Sequence, residues 1–176
     1  GKLQIVYAGK AHPNDTEGKE MIRNVVKAMA ALQPDLPAAY LEGYDMALAG
    51  ILIPGVDLWL NNPVRPHEAS GTSGMKAAHN GVPNFSVLDG WWIEGHIEGE
   101  TGWSIGAQPE EVTLAEQDDT EDREDLYRKL DQVIIPAYYG DRVGWIRTMK
   151  GAIGKNAYYF NTHRMMRRYV TEAYIR

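Results

Sequence analysis

The apolar positions begin as a β-type block. Residues 3–8, Leu-Gln-Ile-Val-Tyr-Ala, are rich in strand formers and run into Gly9, which predicts a strand ending at a loop. Over 18–33 the spacing changes. Met21, Ile22, Val25, Val26, Met29, Ala30 and Leu32 recur every three or four positions, the mark of an amphipathic helix. Asn14, Asp15 and Thr16 are its candidate N-caps, and Pro34 and Pro37 its stop. A short run at 38–41 predicts a second strand. Asp45 can cap a short helix that reaches Leu52 and halts at Pro54-Gly55. Residues 56–60, Val-Asp-Leu-Trp-Leu, predict a third strand. After a loop with Pro63 and Pro66, a helix over 75–80 is expected to begin near Ser73 and to end at Gly81. Residues 84–88 predict a fourth strand, turning at Asp89-Gly90.

Strands alternating with helices at this spacing imply βαβ units and an α/β fold with a Rossmann-like parallel sheet flanked by helices. Past Gly106 the pattern turns helical, with helices expected over 121–133, 141–152 and 158–174. The expected organisation is one domain over 1–176, an α/β core at 1–106 followed by a mostly helical part at 107–176. A doubly wound sheet usually has five or six strands. Four are counted here and the chain opens on a strand, so the sheet is expected to be incomplete.

Composition narrows the function classes. The chain is 44% apolar and 24% charged, ordinary values that exclude neither an enzyme nor a binding module. A formal net charge of -6, with the only basic cluster at Arg164, Arg167 and Arg168, argues against nucleic acid as a partner. The acidic stretch at 110–125 reads as a solvated loop and helix start. With no cysteine there is no disulfide, thiolate nucleophile or Cys-based zinc site, which is compatible with the expected cytoplasmic location. No apolar run approaches the roughly 20 residues of a membrane span, and the first residues do not read as a signal peptide, so no membrane partner is expected.

One segment carries chemistry: Arg65-Pro66-His67-Glu68-Ala69-Ser70-Gly71-Thr72-Ser73-Gly74-Met75-Lys76. Two glycines within four residues let the backbone approach a ligand closely. A helix starting near Ser73 would aim its unpaired N–H groups and dipole at the loop, the outline of a phosphate site. It is not a Walker A loop, where the lysine directly follows a second glycine. Lys76 is expected on the first helical turn, as a phosphate counter-charge or a Schiff-base amine. On the residues alone, a glycine-rich turn with a solvent-facing lysine remains open. His67 and His79 show no metal-ligand spacing, and no metal is expected.

The stretch from Glu68 to Lys76 resembles the pyridoxal-phosphate lysine motif of the α-glucan (glycogen, starch and maltodextrin) phosphorylases. The resemblance is collinear elsewhere, at Gly9-Lys10-Ala11-His12-Pro13 and Leu41-Glu42-Gly43-Tyr44-Asp45-Met46. It continues at Asp57-Leu58-Trp59-Leu60-Asn61-Asn62-Pro63 and Asn84-Phe85-Ser86-Val87-Leu88-Asp89-Gly90-Trp91-Trp92, which resemble the bacterial-type branch. It is dense over about half of the chain, from Gly9 to Trp92. Gly43 stands where the family usually has asparagine, and His79 where that branch tends to be apolar.

The resemblance implies the C-terminal, cofactor-carrying domain of the two-domain GT-B glycosyltransferase architecture. By it, Lys76 carries pyridoxal 5'-phosphate as a Schiff base, and Gly71, Thr72 and Tyr44 contact the cofactor. Glu68 and Ser70 hold glucosyl hydroxyls, with Glu68 counted beside Lys76 as catalytic, and Gly71, Lys10 and His12 also contact substrate. The implied reaction moves a terminal α-1,4-linked glucosyl unit of a glucan to inorganic phosphate, giving glucose 1-phosphate, with the cofactor phosphate as proton relay. Further phosphate-gripping groups and an N-terminal domain are expected outside this chain, so the isolated chain is expected to be inactive or nearly so. Homodimerisation is also implied. Two other readings stay open: a non-catalytic fragment that binds glucan or a partner, and a sugar-nucleotide-dependent GT-B glycosyltransferase domain. The Ser-Gly-Met-Lys segment speaks against the second. The pair Trp91-Trp92 reads as local core rather than as a sugar-stacking platform.

Overall fold

The computed structural model describes residues 3–33, 35–107 and 119–175. The expected stop at Pro34 and positions 110–118 of the acidic stretch lie outside the described residues. The chain is α/β, with parallel strands and a helical C-terminal end, and it divides into two compact units, 1–51 and 52–176.

In the first unit, β1 (Ile5–Ala8) and β2 (Ala38–Leu41) pair in parallel, Ile5 opposite Ala38. The connection is α1 (Thr16–Leu32), a right length for a parallel crossover. Asp15 is the cap among the three candidates; its side chain accepts the Gly18 N–H at 2.8 Å. A short α2 (Met46–Leu52) follows Asp45, whose carboxylate accepts the Leu48 N–H at 2.8 Å. Among the described residues of this unit, Met29 is the one buried hydrophobic side chain.

The second unit holds a three-stranded parallel sheet in the order β3 (Trp59–Asn61), β4 (Asn84–Val87), β5 (Gly102–Ile105). The α3 helix (Thr72–His79) links β3 to β4, and the single turn α4 (Trp92–Gly95) lies between β4 and β5. All residues of β4 and β5 are buried, as expected for a sheet covered on both faces. A helical run follows: α5 (Asp119–Lys129), α6 (Ile135–Gly140), α7 (Arg142–Gly151) and α8 (Thr162–Tyr169). Three π-helical turns, Leu130–Ile134, Ala152–Ala157 and Val170–Tyr174, are spliced among them. One core joins Phe85, Val87, Trp103, Ile105, Ile134 and Trp145, with the Trp103 and Trp145 rings stacked at 5.5 Å. A second joins Ala78, Leu88, Trp91, Trp92 and Ala152. Each large apolar side chain so buried contributes roughly 1.5–3 kcal/mol.

Several expectations are corrected. The third strand occupies Trp59–Asn61 rather than 56–60. The α3 helix begins at Thr72, which moves Lys76 from the first helical turn to the second. A fifth strand, β5, was not anticipated. The expected helix over 158–174 is interrupted: Asn161 is extended and caps a new helix, its side chain accepting the Arg164 N–H at 2.9 Å.

Candidate functional site

The chemistry-bearing segment leaves the C-terminal end of β3 and enters α3, at the edge of a parallel sheet where ligands of α/β folds bind. Arg65, which is joined to Pro66 by a cis bond, anchors its start. Its Nη2 donates to both carboxyl oxygens of Asp122 in α5 at 2.8 and 2.9 Å, and its Nη1 donates to the Ala107 carbonyl at 3.2 Å.

The helix start is shaped by Gly71. It is left-handed (φ 89°) and offers no side-chain cap to α3. The leading N–H groups of the helix, at Thr72 and Ser73, have no intrahelical partner by construction, and the helix dipole adds to their positive potential. Ser70 and Thr72 are exposed beside them. Lys76 is exposed four residues beyond Thr72, hence on the same face and about 6 Å further along the axis. Backbone donors, two hydroxyls and an amine thus line one open face. That donor set fits a ligand with a phosphate at one end and a carbonyl carbon within reach of an amine.

The glycines serve a second end. A Cβ on Gly71 would lie 2.8 Å from Trp91 Cδ1, and one on Gly74 would lie 2.6 Å from Asn84 Oδ1 and 2.8 Å from Trp91 Nε1. Their close approach is to a buried indole, which underpins the loop. Trp91 and Trp92 are core residues, 6% and 1% exposed. Asn84 Nδ2 also donates to the Gly74 carbonyl at 3.1 Å. The turn after β4 completes the support. Asp89 accepts the Glu68 N–H at 2.9 Å, and the Trp91 N–H donates to the Ser70 carbonyl at 2.8 Å. Sequence reasoning did not single out Arg65, Asp89 or Trp91 as builders of this loop; the one available signal was the run of Asp-Gly-Trp directly after a buried strand.

A groove of about 1000 Å³ opens beside Ser70 and Thr72 and runs between α3 and α8, past Met75, His79, Arg164 and Arg168. Glu68 is half-buried. His79 Nδ1 lies 2.8 Å from the Met75 carbonyl one turn back. No group of three or more His, Cys, Asp or Glu among the described residues is placed to hold a metal.

The remaining predicted residues belong to the first unit. Lys10 and His12 are exposed in the loop after β1, where His12 Nδ1 accepts the Asn14 N–H at 3.2 Å. Tyr44 is half-buried in the loop after β2. All three therefore sit past the C-terminal ends of this unit's strands. Lys76, Glu68, Ser70, Gly71 and Thr72 are brought together in the second unit by one continuous segment.

Residues 2–136 match the family model described as Phosphorylase: Carbohydrate phosphorylase. A maltodextrin phosphorylase of Thermococcus litoralis is 47% identical over 98% of this chain and 20% of its own length. A glycogen phosphorylase of Aquifex aeolicus is 42% identical over 98% of this chain and 25% of its own length. An uncharacterized protein of Methanocaldococcus jannaschii, MJ1631, is 31% identical over 98% of this chain. The chain thus spans about a fifth to a quarter of the length of the two phosphorylases.

Proposed function

The chain belongs to the carbohydrate phosphorylase family, and on that footing we propose that it is the cofactor-carrying part of an α-glucan phosphorylase. The reaction is transfer of a terminal α-1,4-linked glucosyl unit from a glucan to inorganic phosphate, giving glucose 1-phosphate. The observation that carries this reading is the open face of α3, where an uncapped helix start, the Thr72 hydroxyl and the Lys76 amine stand in line. Two relatives of this chain bear the names maltodextrin phosphorylase and glycogen phosphorylase.

In this proposal Lys76 tethers pyridoxal 5'-phosphate. The Thr72 hydroxyl and the leading N–H groups of α3, ahead of which stands Gly71, hold its phosphate, because a helix N-terminus favours an anion. When bound, the cofactor supplies a phosphate monoester with a second pKa near 6, suited to relaying a proton. Glu68 and Ser70 hydrogen-bond glucosyl hydroxyls, which would cost about 1–3 kcal/mol each if buried unpaired. The groove beside Ser70 and Thr72 gives the substrate room. For the first unit, the same reading assigns Lys10 and His12 to the anionic substrate and Tyr44 to the cofactor. We further propose a cytoplasmic enzyme with an N-terminal domain beyond this chain, and little or no activity for 1–176 alone.

The test is chemical. Residues 1–176 are mixed with pyridoxal phosphate, reduced with borohydride, and the modified peptide is mapped by mass spectrometry. A stoichiometric adduct on Lys76 that disappears in Lys76→Ala supports the assignment; adducts scattered over surface lysines contradict it. Release of glucose 1-phosphate from glycogen by 1–176 at an ordinary enzymatic rate would overturn the claim of inactivity.

A further inference from the structure

The loop that presents Glu68, Ser70 and Thr72 is bonded to the turn after β4. Asp89 lies two residues past the end of β4 and is 7% exposed. Each of its carboxyl oxygens accepts one backbone N–H, Oδ2 from Glu68 and Oδ1 from Gly90, both at 2.9 Å. A buried carboxyl group needs such partners, and here one comes from each chain segment. Gly90 is left-handed (φ 54°), and a Cβ there would sit 2.7 Å from the Ser70 carbonyl oxygen and 2.9 Å from that of Glu68. The Trp91 N–H then bonds the Ser70 carbonyl at 2.8 Å, and the Trp91 ring fills the space under Gly71 and Gly74. Asp89 and Trp91 thus bond the backbone of the 68–74 segment, and Gly90 passes close against it. That leaves the Ser70, Thr72 and Lys76 side chains exposed toward a ligand.

We propose that Asp89 is a positioning residue: by holding the Glu68 N–H it sets the loop that presents the sugar- and phosphate-binding groups to the ligand. This rests on the cofactor reading above for the identity of the ligand, and on the structure alone for the loop.

Asp89→Asn keeps the shape and replaces one acceptor oxygen by a donor, so it cannot accept from both N–H groups. Thr148→Val serves as a destabilised control, because it removes the bond from Thr148 Oγ1 to the Gly99 carbonyl (2.7 Å) elsewhere in the same unit. Two readouts are taken on 1–176: amide hydrogen exchange at residues 68–74, and the yield of borohydride-fixed pyridoxal phosphate on Lys76 at subsaturating cofactor. Asp89→Asn should speed exchange across this segment by about tenfold, the equivalent of one lost hydrogen bond. It should also lower the Lys76 yield several-fold, while Thr148→Val lowers Tm without changing either. Unchanged exchange in Asp89→Asn overturns the inference, as does an equal loss of yield in both variants. A wild-type chain that takes no adduct on Lys76 overturns the cofactor reading instead, and the exchange experiment still decides whether Asp89 holds the loop.

Discussion

At the scale of single residues, the glycines of the Gly71-Thr72-Ser73-Gly74 segment answer to packing before they answer to a ligand. Gly74→Ala places a methyl group within 2.6 Å of Asn84 Oδ1 and 2.8 Å of Trp91 Nε1, both on buried side chains with little room to yield. Overpacking of this kind costs about 1–3 kcal/mol. Gly71→Ala adds the penalty of a left-handed backbone, about 1–2 kcal/mol, to a contact of 2.8 Å with Trp91. Both variants should show lower urea midpoints. A double-mutant cycle of Gly71→Ala with Trp91→Ala should give a coupling of about 1 kcal/mol or more, since the clash has one principal partner. A coupling near zero would show that the loop relaxes away from the ring. The glycine pattern was legible in the sequence and its position was right. What a sequence could not disclose is which neighbour the bare backbone approaches, because Trp91 comes from a turn some 20 positions on.

At the scale of elements, local rules succeeded where caps and periodicity are local and failed where tertiary contacts decide. Asp15 and Asp45 cap their helices as the residue types predict. Strand β5 was hidden because it opens with Gly102, a residue that weakens strand propensity. Glycine is needed there: a Cβ would run into the Asn84 carbonyl oxygen. The edge that β5 presents is stapled to α5 by a polar cluster that no motif announced. Glu98 Oε2 accepts from the Ser104 N–H at 3.0 Å and from Ser104 Oγ at 3.2 Å, and lies 2.7 Å from His96 Nε2. Lys129 of α5 donates to the Ser104 carbonyl at 2.8 Å and pairs with Asp125 at 3.0 Å. Burial pushes the Glu98 carboxyl up, but the His96 and Ser104 bonds and the Lys129 charge outweigh it and hold it below the usual glutamate value. Asp125 behaves alike: burial raises it, while Lys129, the Gly106 N–H and Arg128 bring it down. A carboxyl lowered in the folded state stabilises it above the ordinary carboxylate range and ceases to do so as pH falls through its folded value. Thermal stability should therefore drop on acidification below that range. Glu98→Gln should be less stable at neutral pH and lose less on acidification. Parallel pH profiles of the two proteins by circular dichroism would exclude Glu98 as a source of the acid sensitivity.

At the scale of the whole molecule, stability should be distributed unevenly between the two units. Both hydrophobic clusters lie in 52–176, with five tryptophans among the residues of that stretch. Among its described residues the first unit has two strands and one buried apolar side chain, Met29, while Met21, Val26 and Leu32 of α1 are exposed. A shallow groove of about 570 Å³ on that helix is lined by Met21, Val25 and Ala28 beside Glu17, Glu20 and Asn24. A two-stranded sheet with so small a core has little to set against the entropy of ordering its chain. Protection from hydrogen exchange scales with the free energy of opening, and each 1.4 kcal/mol is a factor of ten. In 1–176 the amides of β1 and β2 should therefore exchange at least 100-fold faster than those of β4 and β5, roughly a 3 kcal/mol gap. Native-state exchange followed by mass spectrometry resolves the two sheets directly. Equal protection would mean that the first unit opens only when the second does, and that its stability has a source beyond its own core. The predicted gap also bears on where function can reside in this chain: the Lys76 face of α3 belongs to the well-packed unit, whereas Lys10, His12 and Tyr44 sit on the loops of the weaker one. Variants at those three positions should then alter ligand binding with little effect on Tm, in contrast to Gly71 and Gly74, whose replacement strikes the core of the second unit.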